Sequence, residues 1–234
     1  PSQFVLDQQL LAFNQSLSTY IADSELSLLN QAPAEALRPI SERLNVALVA
    51  AFELWRDSSG AFDVTVGPLV NIWGFGPDQG LPWPPSEAAQ VNAAASVGMQ
   101  HIELLPNKQI RKRLAAAYID LSAIAKGQAV DEIAEIMSGM GCEHFLVDIG
   151  GEVRVKGLNS AGKLWRVGIE VPRAGQQGSV QRVLGVSGQS VATSGDYRNF
   201  RVVDGLRVDH VLDPRSGIPA DNNVLSVTVV HPSA

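Results

Sequence analysis

At 234 residues, 45% apolar and 18% charged, the chain has the composition of a folded globular protein with a substantial core, not of a disordered or fibrous one. Its net charge of -6 speaks against a broad nucleic-acid surface, which needs a basic stripe. The single cysteine, Cys142, excludes an internal disulfide, a zinc cage and a paired-thiol redox motif, and is silent about compartment. No apolar run is long enough to span a bilayer. The chain opens on Pro1 with no charged-then-apolar leader, which says little about any parent protein.

The first half reads mainly as helix. Phe4, Leu6, Leu10, Leu11, Phe13 and Leu17 recur at roughly helical spacing, and Ser24–Leu29 predicts a short second helix. A stronger one starts near Pro39 and Ser41 and runs to Asp57, with Leu44, Leu48, Ala51, Phe52 and Trp55 as its stripe and Ser58-Ser59-Gly60 as its stop. The irregular segment Gly60–Pro77 follows, then the proline-rich loop Leu81–Pro85 and an alanine-rich helix from near Ser86. Short strands are expected at His101–Leu105, Gln109–Leu114 and Tyr118–Leu121, and a helix from about Ala125 to Met140.

Strands dominate thereafter: Phe145–Ile149, Glu152–Lys156, Trp165–Val171, Gln181–Val186, Phe200–Val203, Arg207–Val211 and Val224–Val230. Gly150-Gly151, Asp204-Gly205 and Pro214-Arg215-Ser216-Gly217 are the turns between some of them. With neither a repeat nor a low-complexity linker, residues 1–234 read as one α+β unit, a mostly antiparallel sheet with packed helices.

Several familiar chemistries are absent. There is no G-x-x-x-x-G-K-[ST] loop, no G-x-G-x-x-G after a strand, no G-x-S-x-G elbow and no H-E-x-x-H. Four blocks remain. The first, Gly60–Pro77, combines four glycines and two prolines with Phe62, Trp73, Phe75 and a single acid, Asp63. Its aromatics suit either a flat slot for a planar ring or the inside of a Pro/Gly-rich bend. The second, Ile119–Asp131, turns from a strand end at Asp120 into a helix, whose exposed N–H groups suit anionic oxygens. Lys126 sits near that first turn, either facing a phosphate or as a solvated charge beside a helix capped by Asp120 and Ser122.

The third block, Ser190–Phe200, gathers hydroxyls, Gly195, Asp196, Tyr197 and Arg198 at a strand-to-turn corner. In the fourth, Asp209–Gly217, alternation puts His210 and Leu212 on one face of a strand just before a turn set by Asp213-Pro214. A histidine there has the pKa range of a general base, and serves equally as a structural histidine.

Together and in this order, G-A-F-D-V-T-V-G-P-L-V-N-I-W-G-F, D-L-S-A-I-A-K-G, V-A-T-S-G-D-Y-R and H-V-L-D-P-R-S-G resemble the FAD:protein FMN transferases, the ApbE or Ftp family formerly called thiamine biosynthesis lipoproteins. Ser18-Thr19-Tyr20 through Asn30 resembles the same family's early signature, so the similarity runs from about Tyr20 to His231. The resemblance implies an ApbE-type, T-fold-like catalytic domain over residues 1–234. It also implies transfer of FMN from FAD to a threonine hydroxyl of an acceptor flavoprotein, with Mg2+ at the diphosphate and release of AMP.

Carried over residue by residue, Tyr20, Ala61, Phe62, Asp63, Asp120, Lys126 and Leu212 would bind FAD, the last through its backbone. Ala123 would offer a carbonyl to Mg2+. His210 would take the threonine proton, oriented by Asp209 or Asp213, with Tyr197 and Arg198 shaping the flavin or acceptor side. The implied acceptors are subunits of membrane redox complexes of the Nqr/Rnf-like kind. The implied location is the periplasmic side of the bacterial inner membrane, with membrane attachment only through a lipid anchor on the parent protein. Family members carry an early M-G-T segment, and beyond the position of Ala234 an Asp and a Thr that complete the metal site. Without these, weak Mg2+ binding is the expectation. Two other readings share the residues: hydrolysis of FAD to FMN and AMP, in which water replaces threonine, and a flavin carrier without turnover.

Overall fold

The computed structural model describes residues 3–76, 81–173, 178–196, 200–203, 206–220 and 224–234. Pro77, Tyr197, Arg198 and the Asp204-Gly205 turn lie outside them. The helices are α1 (Gln3–Leu17), α2 (Glu25–Gln31), α3 (Glu42–Asp57), α4 (Gly67–Ile72), α5 (Glu87–Ala94) and α6 (Ser122–Gly139). The early strands are β1 (Arg38–Pro39), β2 (Ile102–Leu105) and β3 (Gln109–Lys112). Then come β4 (Phe145–Ile149), β5 (Glu152–Lys156), β6 (Trp165–Glu170), β7 (Val180–Val186) and β8 (Gln189–Gly195). The last are β9 (Phe200–Val203), β10 (Leu206–Asp209), β11 (Leu212–Asp213), β12 (Ile218–Pro219) and β13 (Ser226–His231). Serine side chains start three of the helices: Ser24, Ser41 and Ser86 each accept the N–H of the third residue on, at 3.0, 3.2 and 3.2 Å.

Chain contacts divide into two compact units. The unit formed by 11–124 and 199–221 holds most of the residues nominated above. Its central core is set by α3, whose Leu44, Ala47, Leu48 and Ala51 are fully enclosed as their helical spacing requires. A second cluster packs Leu69, Trp73 and Ala93, with Phe75, Val208 and Leu212 against it. β1, β3 and β2 form an antiparallel sheet in that order. In it Glu103 and Arg111 stand directly opposite, the Arg111 Nε donating to Glu103 Oε2 at 2.8 Å.

Lys112 on β3 is 1% exposed, and carbonyl oxygens surround its ammonium. Its Nζ donates to the carbonyls of Asn30 (2.5 Å), Ala115 (2.9 Å) and Ala117 (3.1 Å). Burial pushes its ammonium below the ordinary lysine range, while the three carbonyl dipoles hold the protons in place.

The unit formed by 1–10, 125–198 and 222–234 is built on an antiparallel sheet ordered β13-β8-β5-β4. Val130, Ile133 and Ala134 of α6 pack with Phe145 and Val147 of β4, and Val153, Val155, Val186 and Val191 make a second cluster. β6 and β7 form a separate hairpin with a bulge at Ile169/Glu170.

The expected α+β architecture with antiparallel pairing is what the structure has, although the strands are divided among several small sheets. Four local expectations change. The corner Ser190–Phe200 contains β8, a strand with partners on both sides, which its small hydroxyl residues disguised. Tyr118–Leu121 forms no strand among the described residues; the Asn30 carboxamide bonds both backbone groups of Ile119 instead, at 2.8 and 2.9 Å. Gly60–Pro77 includes the short helix α4, with Pro68 at its start where a missing N–H costs nothing. α6 begins at Ser122, three residues earlier than expected.

Candidate functional site

Asp63 is buried, and its carboxylate is fully engaged within the protein. Oδ1 accepts the Thr65 backbone N–H (2.7 Å) and hydroxyl (2.5 Å), while Oδ2 accepts the Met99 N–H (3.2 Å). The Thr65 hydroxyl accepts in turn from the Gly98 N–H at 2.6 Å. Asp120 repeats the local design: its Oδ1 accepts the Ser122 N–H at 2.8 Å and the Ser122 hydroxyl at 2.5 Å. The Asp120 backbone N–H donates to the Val64 carbonyl at 2.7 Å, so the Ala61–Asp63 block and the Asp120 block are neighbours. Ala61 is exposed and Phe62 half-buried, with the Phe62 N–H on the Ser58 hydroxyl at 2.9 Å.

The Lys112 and Asn30 contacts brace this pair of loops from beneath. Lys112 ties two carbonyls of the 113–117 turn, those of Ala115 and Ala117, to that of Asn30, and Asn30 holds Ile119 next to Asp120. Tyr20, just before α2, is 73% exposed, its N–H on the Ser18 hydroxyl at 3.1 Å.

Ala123 is exposed in the first turn of α6. A helical carbonyl there faces the N–H four residues on, leaving one lone pair for another ligand. Lys126 counts with the other unit and lies in the second turn of α6, not at its first. It is neither simply solvated nor waiting bare: Nζ donates to Glu152 Oε1 at 2.6 Å, with the side chain passing over Gly150.

His210 is half-buried where the chain bends between β10 and β11, so the single strand expected through Leu212 is broken there. Its ring lies 6.2 Å from that of Phe75 at an interplanar angle of 63°, an edge contact. The two carboxylates expected beside it each bond a near neighbour in sequence. Asp209 Oδ1 accepts the Val211 N–H at 2.9 Å, and Asp213 grips Arg215 through two bonds of 2.9 and 2.8 Å. The Arg215 guanidinium holds the Asp213 carboxyl below its ordinary value. Leu212, paired with Pro219 across β11 and β12, turns its side chain to the Leu69–Trp73 cluster.

Of the three aromatics expected to line a slot, Trp73 is core, 9% exposed, with its indole N–H on the Gly217 carbonyl at 3.0 Å. Phe75 faces His210 and Arg201. Lys112 and Arg201 were not foreseen. For Lys112 a signal existed, since it shares strand parity with the buried Ile110. Arg201 has none in its neighbourhood. Among the described residues no group of three or more His, Cys, Asp or Glu side chains is placed to hold a metal ion.

The chain as a whole is similar to known proteins. The model of the ApbE family matches residues 3–234. The FAD:protein FMN transferase of Vibrio cholerae is 41% identical over 231 residues, covering 99% of this chain and 69% of that protein. That of Salmonella typhimurium is 39% identical over 239 residues, covering 99% and 67%. The solved flavin transferase ApbE from Vibrio cholerae superposes with a TM-score of 0.90 at 40% identity, covering 99% of this chain and 73% of that one. The apo form of the Pseudomonas stutzeri flavinyl transferase ApbE gives 0.87 at 36%, covering 100% and 73%. The chain belongs to the ApbE family, and spans about two thirds of the length of these curated relatives.

Proposed function

We propose that this protein moves FMN from FAD to a threonine hydroxyl of an acceptor flavoprotein and releases AMP. The observation that carries the reading is its similarity, over nearly the whole chain, to proteins named FAD:protein FMN transferase. The threonine oxygen forms a bond to the phosphorus of the FMN half. The bridging P–O bond of the diphosphate breaks, its electron pair leaving with AMP, and His210 takes the hydroxyl proton. Exposed Tyr20 offers a ring to the flavin or adenine, and Ala61, Phe62 and Leu212 offer main chain. With its carboxylate engaged by Thr65 and Met99, Asp63 meets FAD through its backbone. Asp120 and Lys126 serve the polar end of the ligand, Lys126 sharing its charge with Glu152.

Mg2+ fits this site as an ion carried by its nucleotide: the Ala123 carbonyl is a hard donor, and diphosphate oxygens and water would complete the shell. Bound so, it would neutralise charge on the diphosphate and the leaving AMP. Acceptors of the Nqr/Rnf-like kind and a periplasmic setting at the inner membrane belong to the same reading, by family likeness.

AMP production with and without acceptor tests it. AMP that depends on a threonine-bearing acceptor supports transfer. AMP formed at the same rate without acceptor indicates hydrolysis, and FAD bound with no AMP indicates a carrier.

A further inference from the structure

We propose that Arg201 is a positioning residue for His210, acting through the ring of Phe75; this rests on the reading of His210 as the base. Arg201 lies on β9 opposite Val208 of β10, and β10 ends at Asp209, where the chain bends into His210. Its Nη2 donates to the Gly74 carbonyl at 2.7 Å. Its guanidinium carbon stands 5.9 Å from the Phe75 ring centre and 5.2 Å from that of Trp83. The Trp83 indole N–H is bonded to the Trp73 carbonyl at 3.0 Å, which pins that ring to the same segment. The edge contact from Phe75 to His210 completes a packed row: Trp83, Arg201, Phe75, His210.

Gly74 is shaped for this row. Its φ of +73° favours glycine, and a Cβ there would stand 2.7 Å from the guanidinium carbon. Arg201 therefore ties the hairpin that delivers His210 to the segment 73–75, and holds flat the ring against which the imidazole rests. A planar guanidinium can stack on the rings and donate to a carbonyl at once, which an ammonium cannot match. A base displaced by a fraction of an ångström loses rate without losing its ligand.

The test uses purified protein with FAD and acceptor, comparing Arg201→Leu, Arg201→Lys, Phe75→Leu and the control His210→Ala. Arg201→Leu is expected to lower kcat by about 10- to 100-fold while the KM for FAD stays within about twofold. Phe75→Leu should do the same, and Arg201→Lys should recover part of the loss. The His210 ring resonances should move in Arg201→Leu. Wild-type kcat in Arg201→Leu, or a raised KM with kcat intact, overturns the proposal. If Arg201→Leu does not fold, wild-type kcat in Phe75→Leu overturns it. If His210→Ala keeps full activity, the base assignment fails, and unmoved His210 resonances in Arg201→Leu then overturn the positioning separately.

Discussion

Asp120 donates its backbone N–H to the carbonyl of Val64 at 2.7 Å, joining two loops of one local design. In each, an aspartate oxygen accepts both the N–H and the hydroxyl of the residue two positions on: Thr65 after Asp63, Ser122 after Asp120. One copy is buried and the other partly open to solvent. The buried copy fixes the frame, and the open one is the loop proposed above to meet the ligand.

Thr65→Val keeps the shape but strands the Gly98 N–H and removes a donor from Asp63. It should cost about 2 kcal/mol in urea unfolding and weaken FAD binding, whereas Ser122→Ala should cost under about 1 kcal/mol. Equal costs for the two would contradict the division between frame and presenting loop.

Lys112→Met removes the Nζ that donates to the carbonyls of Asn30, Ala115 and Ala117. About 3 kcal/mol of stability should be lost, tempered by relief of a buried charge, and read as a lower urea midpoint at unchanged slope. A neutral substitution would mean that the clamp holds nothing.

The Asp213 carboxyl is held low by the hydrogen bonds and charge of Arg215. Because its folded pKa lies below its unfolded one, the turn gains stability that is complete above the ordinary aspartate range. That gain is lost as pH falls through the depressed value. An NMR titration should find the Asp213 midpoint below that of an unpaired aspartate, and Arg215→Ala should raise it toward the ordinary range, the backbone N–H bonds to the carboxyl remaining. No change on removing Arg215 would contradict the assignment.

If Lys126 serves the ligand's phosphates, Lys126→Ala should weaken FAD binding by about tenfold. Glu152→Gln, which removes its anionic partner, should not weaken it. Weakening by both alike, in isothermal titration, would make the Lys126–Glu152 pair a purely structural one.

The helices were legible because apolar spacing and serine caps agree, as at Ser41 and Leu44–Ala51. β8 was not, since Ser190–Gly195 lacks the large branched residues that mark a strand and owes its place to neighbours on both sides. The Ile119 backbone looked like a strand because its true partner is a side chain 89 residues away, Asn30. In the candidate site, sequence could nominate Asp63, Asp120 and His210. It could not tell that the Asp63 carboxylate is taken by Thr65 and Met99, or that Arg201 stacks beside Phe75; both depend on tertiary contacts.

The most direct measurement is the intact mass of a threonine-bearing acceptor domain after incubation with the protein, FAD and Mg2+. A gain equal to one FMN is expected, abolished by His210→Ala and by replacing the acceptor threonine with alanine. An acceptor of unchanged mass while FAD is converted to FMN and AMP would contradict it.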